Sequence, residues 1–200
     1  LLLVGVQQAQ AAGTLQGTSV ANTATVDYTV GGVNQPDVPS NASTFLVDRR
    51  INLTVAEVGG TSTSVIPGSI DQVTTFTVTN STNGVQDFRL VGSNDAAGAG
   101  TAFADTDNFD VTSLRVFVDS NGNGTYDPAL DTATFIDELG ADQTRTVFVL
   151  GNIPGGQVNN DTAGVTLRAF AANSGGAAVL GADATQTAGA DTPGVVDTVF

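Results

Sequence analysis

The chain lacks cysteine, histidine, lysine, methionine and tryptophan altogether. Without cysteine, no disulfide, thiolate nucleophile or thiolate metal site can form. Without histidine, the usual general base and the commonest transition-metal ligand are missing. Without lysine, Schiff-base chemistry and a Lys–Asn isopeptide crosslink are excluded, so only carboxylate chemistry remains open. The composition therefore predicts that this protein is not an enzyme.

Positive charge is also scarce. All six basic residues are arginines, against 20 acidic residues, and the formal net charge is −14. A field of this sign repels phosphate backbones and anionic lipid surfaces, and it attracts cations. We therefore expect no nucleic-acid partner. An alternative stays open, in which the acidity only keeps the protein soluble.

Apolar and polar residues alternate with a period of two along much of the chain. In the run NTATVDYTV, for example, Ala24, Val26, Tyr28 and Val30 share one face. We find no helical stripe of useful length, and Gly- and Pro-rich turns separate the alternating runs. Asn83-Gly84 predicts a hairpin between the runs on either side of it. The pattern predicts an all-β fold, an antiparallel immunoglobulin-like β-sandwich, over residues 50–200.

Residues 1–49 form a second predicted unit, an N-terminal strand extension without a core of its own. Because an isolated hairpin is unstable in water, this segment must add to the sandwich or to another subunit. Its opening, LLLVGVQQAQAAGT, is too short to span a bilayer, so no membrane insertion is expected. Two interpretations stay open: the end of a secretory signal cleaved after Ala11, or an assembly strand that presents Leu1, Leu3 and Gly5, or Leu2, Val4 and Val6.

Several runs of this sequence resemble the bacterial conserved-repeat surface domains. They are VANTATVDYTV, STFLVDRRINLTV, VTTFTVTN with NGVQDFRL, DNFDVTSLRVFVDSNGNGTYD, IDELGADQTRTVFVL and DTAGVTLRA. The resemblance covers most of residues 15–200. It implies an immunoglobulin-like module of a secreted or envelope-attached protein, and therefore an extracellular or cell-surface location in a bacterium. It implies no chemistry.

The stretch DSNGNGTYDPALD predicts a calcium site. Calcium requires six to eight hard oxygen ligands, and alternate side chains of a short loop can supply them. The predicted ligands are Asp119, Asn121, Asn123, the backbone carbonyl of Thr125, Asp127 and Asp131. The spacing matches the D-x-N-x-N-G start of an EF-hand loop. Leu130 replaces the usual bidentate Glu, a role that Asp131 would take. The alternative is that two Asn-Gly pairs simply form a tight turn.

A second acidic group, Asp105, Asp107 and Asp110, precedes the strand that leads into this loop. We interpret it as a solvated loop, although it could also complete the calcium site or form another one. As a glycosidase acid pair it is a poor candidate, since such a pair needs one carboxyl group in a pocket that raises its pKa.

Two functions are compatible with the sequence. The first is a structural subunit of an extracellular bacterial filament or surface layer, stabilised by Ca²⁺ and assembled with copies of itself by strand exchange through the N-terminal segment. The second is a monomeric, calcium-stiffened module of a large cell-surface adhesin or stalk protein.

Overall fold

The computed structural model describes residues 13–200, and every regular element in that range is a β-strand. The predicted all-β class is therefore confirmed. No helix in this range has the length and hydropathy that crossing a membrane requires. The strands are β1 (Ser19–Asn22), β2 (Thr25–Val26), β3 (Thr29–Val30), β4 (Val33–Asn34), β5 (Val38–Pro39), β6 (Ser43–Leu46), β7 (Arg49–Arg50), β8 (Leu53–Glu57), β9 (Gln72–Asn80), β10 (Gln86–Asn94), β11 (Thr112–Val118), β12 (Phe135–Leu139), β13 (Thr144–Asn152), β14 (Val165–Ser174), β15 (Leu180–Asp183) and β16 (Thr198–Val199).

Two four-stranded antiparallel sheets enclose the main core, as in a β-sandwich. One sheet has the order β11-β13-β9-β8 and the other the order β12-β10-β14-β15. Apolar side chains from both sheets form one buried cluster, because alternate residues of each strand point inward. Its members include Phe76, Val78, Val118, Val147 and Val149 from the first sheet and Phe88, Leu90, Ile136, Leu139, Leu167 and Ala171 from the second.

The predicted hairpin at Asn83-Gly84 is wrong. Strand β9 pairs with β8 and β13, whereas β10 pairs with β12 and β14, so the connection between them crosses from one sheet to the other. Asn83 contributes hydrogen bonds instead of a two-residue turn. Its Oδ1 accepts from the backbone N–H of Arg50 at 2.8 Å, and its Nδ2 donates to the carbonyl of Asp48 at 2.8 Å.

Residues 19–46 form a long, irregular hairpin, which we call the N-terminal hairpin. Its three short ladders are nested: β1 pairs with β6, β2 with β5 and β3 with β4. The tip between β3 and β4 is Gly31-Gly32, and both glycines have positive φ, as the tight turns of two-residue hairpins require. Most of its side chains are exposed.

The base of the N-terminal hairpin is joined to the end of the chain. Strands β7 and β16 pair in parallel, with Arg49 opposite Thr198 and Arg50 opposite Val199. Ile51 also donates its N–H to the carbonyl of Val199. The sequence-based boundary between residues 49 and 50 thus falls inside β7. The predicted assembly strand and signal remnant lie in residues 1–12, outside the described residues.

Candidate metal centre

The loop 119–131 connects β11 of one sheet to β12 of the other. Backbone hydrogen bonds fix its base: Val118 donates to the carbonyl of Ala133 at 2.8 Å, and Asp119 donates to that of Thr146 at 3.0 Å. Tyr126 anchors the middle of the loop. Its ring stacks on Phe117 with centroids 5.5 Å apart and meets the buried ring of Phe148 edge-on at 5.8 Å. The loop is therefore held against the outer face of β13.

Asp119 organises the first half of the loop. Its side chain is 2% exposed, and its carboxylate accepts three backbone N–H groups. Oδ1 accepts from Gly122 at 2.7 Å and from Asn123 at 3.2 Å, and Oδ2 accepts from Gly124 at 2.8 Å. A carboxylate offers about four lone-pair positions, so Oδ2 keeps one position for a further partner.

The amide side chains of the loop turn back on the chain in the same way. Asn121 Oδ1 accepts from the N–H of Asn123 at 3.0 Å, and Asn123 Oδ1 accepts from the N–H of Thr125 at 2.8 Å. Both asparagines and Thr125 are exposed. Each amide oxygen thus has one protein donor and one free lone pair.

The second half of the loop closes on Asp131, which is fully buried. Its Oδ1 accepts from the N–H of Ser120 and its Oδ2 from the N–H of Asp127, at 2.9 and 2.8 Å. Asp131 thereby joins Ser120 at the start of the loop to Asp127 in its second half. Among residues 13–200, the side chain of Asp127 accepts only from the N–H of Ala129, and Leu130 is exposed.

The donor atoms have the chemistry that a hard cation needs, but the three carboxylates of the loop do not converge: Asp119, Asp127 and Asp131 are not a group whose oxygens all lie within 4.8 Å of one another. The side chains of Asp119, Asp127 and Asp131 and of the two asparagines keep free lone pairs on hard oxygens, which Ca²⁺ prefers. The hydrogen bonds also account for the loop conformation as turn chemistry. The calcium site therefore stays a prediction, with all six predicted ligands in one hydrogen-bonded loop.

The sequence did not reveal another group of acids. Asp48, Asp191 and Asp197 present carboxylate oxygens that all lie within 4.8 Å of one another, the one such group of three acidic side chains in residues 13–200. Asp48 Oδ1 accepts from the N–H of Asp197 at 3.0 Å. Arg49 follows Asp48 in the chain, and burial lowers the pKa of its guanidinium. The group sits where β7 meets β16, so only the fold brings it together.

The predicted solvated acidic loop is only partly solvated. Asp105 and Asp110 are exposed, as expected, but Asp107 is 1% exposed. Asp105 lies at a cleft of about 930 Å³ between the two sheets, lined by apolar side chains and by the connections that follow β8, β10 and β13. The carboxylates of Asp95 and Asp161 also line this cleft.

Comparison of the chain with family models, with curated proteins and with solved structures found no match in any of the three.

Proposed function

We propose that this chain is a non-enzymatic structural module that is displayed outside a bacterial cell, assembles with copies of itself through its N-terminal segment and is stabilised by Ca²⁺. The observation that carries the proposal is the one-sided apolar surface of the N-terminal hairpin. Three directly opposed residue pairs of this hairpin are apolar: Val20–Phe45, Val26–Val38 and Val30–Val33.

Opposed residues share a face within each ladder, and the even spacing of Val20, Val26 and Val30 on the first strand favours one common face for the three pairs. Between successive ladders the second strand has three residues where the first has two, so the register shifts there. Val30 is 60% exposed and Val33 64%, and Val26, Val38 and Phe45 are exposed to a similar degree. The opposite face carries Thr25 and Thr29. A two-stranded ribbon with an uncovered apolar face is marginal in water. Burying such side chains contributes roughly 1.5–3 kcal/mol each, so a partner surface that covers this face stabilises it.

A second copy is the partner that the charge distribution favours. The protein as a whole is strongly acidic, so copies repel one another over most of their surface. The N-terminal hairpin carries only Asp27 and Asp37 as charged residues, and Asp27 belongs to the threonine face by its spacing. Contact through the apolar face thus adds little charge from the hairpin itself to the interface. Residues 1–12, which begin LLLVGV, would extend this contact by strand addition.

A contact in which the hairpin of one copy meets a different surface of the next copy is heterologous, and such contacts build filaments when they do not close. The sandwich offers open edge strands, β8 and β11 in one sheet and β12 and β15 in the other, to which a segment of a neighbour can add.

Strand order supports the immunoglobulin-like part of the proposal. The immunoglobulin constant-type sandwich has the sheets A-B-E-D and C-F-G. If β8 is taken as A, the order β8-β9-β13-β11 corresponds to the first sheet and β10-β14-β15 to the second. Strand β12 is an addition, since it lies between D and E in the chain and pairs with the outer edge of C.

The assembly test compares two single substitutions on opposite faces of the hairpin. Val30→Asp places a charge on the apolar face, and Thr29→Asp places the same charge on the polar face one residue away. We expect the unmodified chain and Thr29→Asp to sediment as concentration-dependent oligomers, and Val30→Asp and a chain lacking residues 1–12 to sediment as folded monomers. Electron microscopy should show fibres for the first pair only. If all four proteins are monomers, the adhesin or stalk module is the better description.

A further inference from the structure

The buried carboxylates of this protein differ in whether both of their oxygens accept hydrogen bonds, and this difference points to a ligand. Asp87, Asp119 and Asp131 are almost completely buried, and both carboxylate oxygens of each accept backbone N–H groups. Asp107 is buried to the same extent. Its Oδ1 accepts from the N–H of Gly164 at 2.7 Å, but its buried Oδ2 has no hydrogen-bond partner among the described residues.

An ionised carboxylate with an orphaned oxygen in a buried position is costly unless a positive charge or a proton compensates it. Arginine does not supply that charge here. The ion pairs within residues 13–200 join Arg89 to Asp183 and Arg115 to Asp71, and neither involves Asp107. The chain has no lysine or histidine to take the role.

A second carboxylate reaches the same glycine. Asp95 donates its N–H to the carbonyl of Gly164 at 2.9 Å, and its Oδ1 accepts from the hydroxyl of Thr166. Its Oδ2 lies so close to Gly164 that a Cβ on this residue would overlap it, and it accepts no hydrogen bond from the described part of the chain. The carboxylate of Asp107 therefore lies at the N–H of Gly164, and the carboxylate of Asp95 lies beside its Cα.

We propose that Asp95 and Asp107 bind a divalent cation beside Gly164, behind the wall of the cleft that Asp95 lines, with Asp107 Oδ2 and Asp95 Oδ2 as the charged ligands. Hard oxygen ligands select Ca²⁺ or Mg²⁺ over softer metals. Asp95 lines the cleft and is only half-buried, so water completes the coordination from that side. The ion would join the connection after β10 to the connection before β14. This site shares no residue with the loop 119–131, and it does not depend on assembly.

The test uses the full chain and calcium titration calorimetry. Asp107→Asn keeps the shape of the side chain and removes its charge, and Asp110→Asn, an exposed acid in the same loop, is the matched control. Substitution of residues behind a metal's direct ligands already lowers affinity 10–100-fold, so loss of a charged ligand should weaken this site by about tenfold or more. Tyrosine-sensitised terbium emission, which reports on Tyr126 in the loop 119–131, should be unchanged.

Thermal unfolding separates a metal ligand from a purely structural aspartate. In chelator, we expect Asp107→Asn to melt at or above the temperature of the unmodified chain, since it removes an uncompensated buried charge. In Ca²⁺, its melting temperature should rise less than that of the unmodified chain and of Asp110→Asn. If Asp107→Asn does not fold, Asp95→Asn, at a half-buried position, carries the same test. The proposal is overturned if the folded variant binds calcium as tightly as the unmodified chain and its melting temperature rises as much in Ca²⁺.

Discussion

Thr198 Oγ1 accepts hydrogen bonds from both Nε and Nη2 of Arg49, at 3.1 and 2.9 Å, although the two residues are 149 positions apart in the chain. The backbone of Arg49 also donates to the carbonyl of Asp197 at 2.8 Å. These contacts join the base of the N-terminal hairpin to the last strand. The guanidinium is partly buried, and this burial lowers its pKa, so the hydroxyl that faces it compensates for lost hydration.

Replacing Thr198 with Val should destabilise the protein by about 1–3 kcal/mol, because the variant leaves a partly buried guanidinium without its acceptor. The size of the side chain is almost unchanged, so lost packing contributes little. The control is Thr198→Ser, which keeps the hydroxyl and should lose clearly less stability. Denaturant unfolding of the three proteins measures the difference, and equal losses in the two variants would contradict the role of the hydroxyl.

A pH prediction follows from the exposed ion pair of Arg89 and Asp183. The hydrogen bond from Arg89 lowers the pKa of Asp183 from its usual 3.8. A carboxyl group with a lower pKa in the folded state stabilises the protein above its unfolded pKa, and this contribution is lost as the pH falls through the folded pKa. Asp183→Asn should therefore melt slightly below the unmodified chain at neutral pH, with the difference disappearing in acid below pH 3.8. The effect is small, because both side chains are largely exposed.

Melting curves of both proteins from neutral pH into this acid range measure that difference. A difference for Asp183→Asn that persists at the acid end would show that the substitution acts through packing and not through charge.

The calcium loop makes a prediction with two parts. Asp119→Ala removes the acceptor of three backbone N–H groups, so it should destabilise the protein by about 1–3 kcal/mol even in chelator. It should also abolish terbium emission sensitised by Tyr126, since Tyr28 is the only other tyrosine and lies in the N-terminal hairpin. In Asp127→Asn the new amide oxygen can still accept the N–H of Ala129, but the carboxylate charge is gone. This variant therefore tests the contribution of the ion alone.

We expect Asp127→Asn to match the unmodified chain in chelator and to show weaker terbium binding. Denaturant unfolding in Ca²⁺ and in chelator, together with terbium titration, provides both measurements. If the unmodified chain unfolds identically in the two buffers and gives no sensitised emission, the loop is a turn without an ion.

Local patterns predicted the parts of this fold that local chemistry determines. The period-two alternation that indicated strands also sets their faces: in β9 it puts Phe76 and Val78 on the same face, and both are buried. The loop 119–131 was also recognisable, because its side chains bond to backbone groups only a few residues away. The prediction at Asn83-Gly84 was wrong because sheet membership depends on distant partners, here β13 and β14.

The acidic group of Asp48, Asp191 and Asp197 shows the same limit for sites. Asp191 stands in a low-complexity stretch, and Asp48 and Asp197 are 149 positions apart in the chain. Only the parallel pairing of β7 with β16 brings their oxygens within 4.8 Å. Likewise, the burial of Asp107 between the exposed Asp105 and Asp110 was not predictable, since all three share one short acidic run.

Gly164 should tolerate a methyl group poorly. An added Cβ there would overlap the carboxylate of Asp95, which itself is held by the hydroxyl of Thr166. Because an overpacked position forces neighbouring side chains to shift, Gly164→Ala should destabilise the protein by about 1–3 kcal/mol. The matched control is Gly155→Ala in the same β13–β14 connection, where an added Cβ would have no neighbour within 4 Å and φ is not positive.

Denaturant unfolding should find Gly155→Ala close to the unmodified chain or slightly more stable, because alanine restricts the unfolded state. A combined variant, Gly164→Ala with Asp95→Ala, removes the carboxylate that the new methyl group meets. If close approach is the reason for a glycine at this position, the double variant should lose less stability than the sum of the two single losses. Strictly additive losses would instead mean that Gly164→Ala acts through backbone conformation, independently of Asp95.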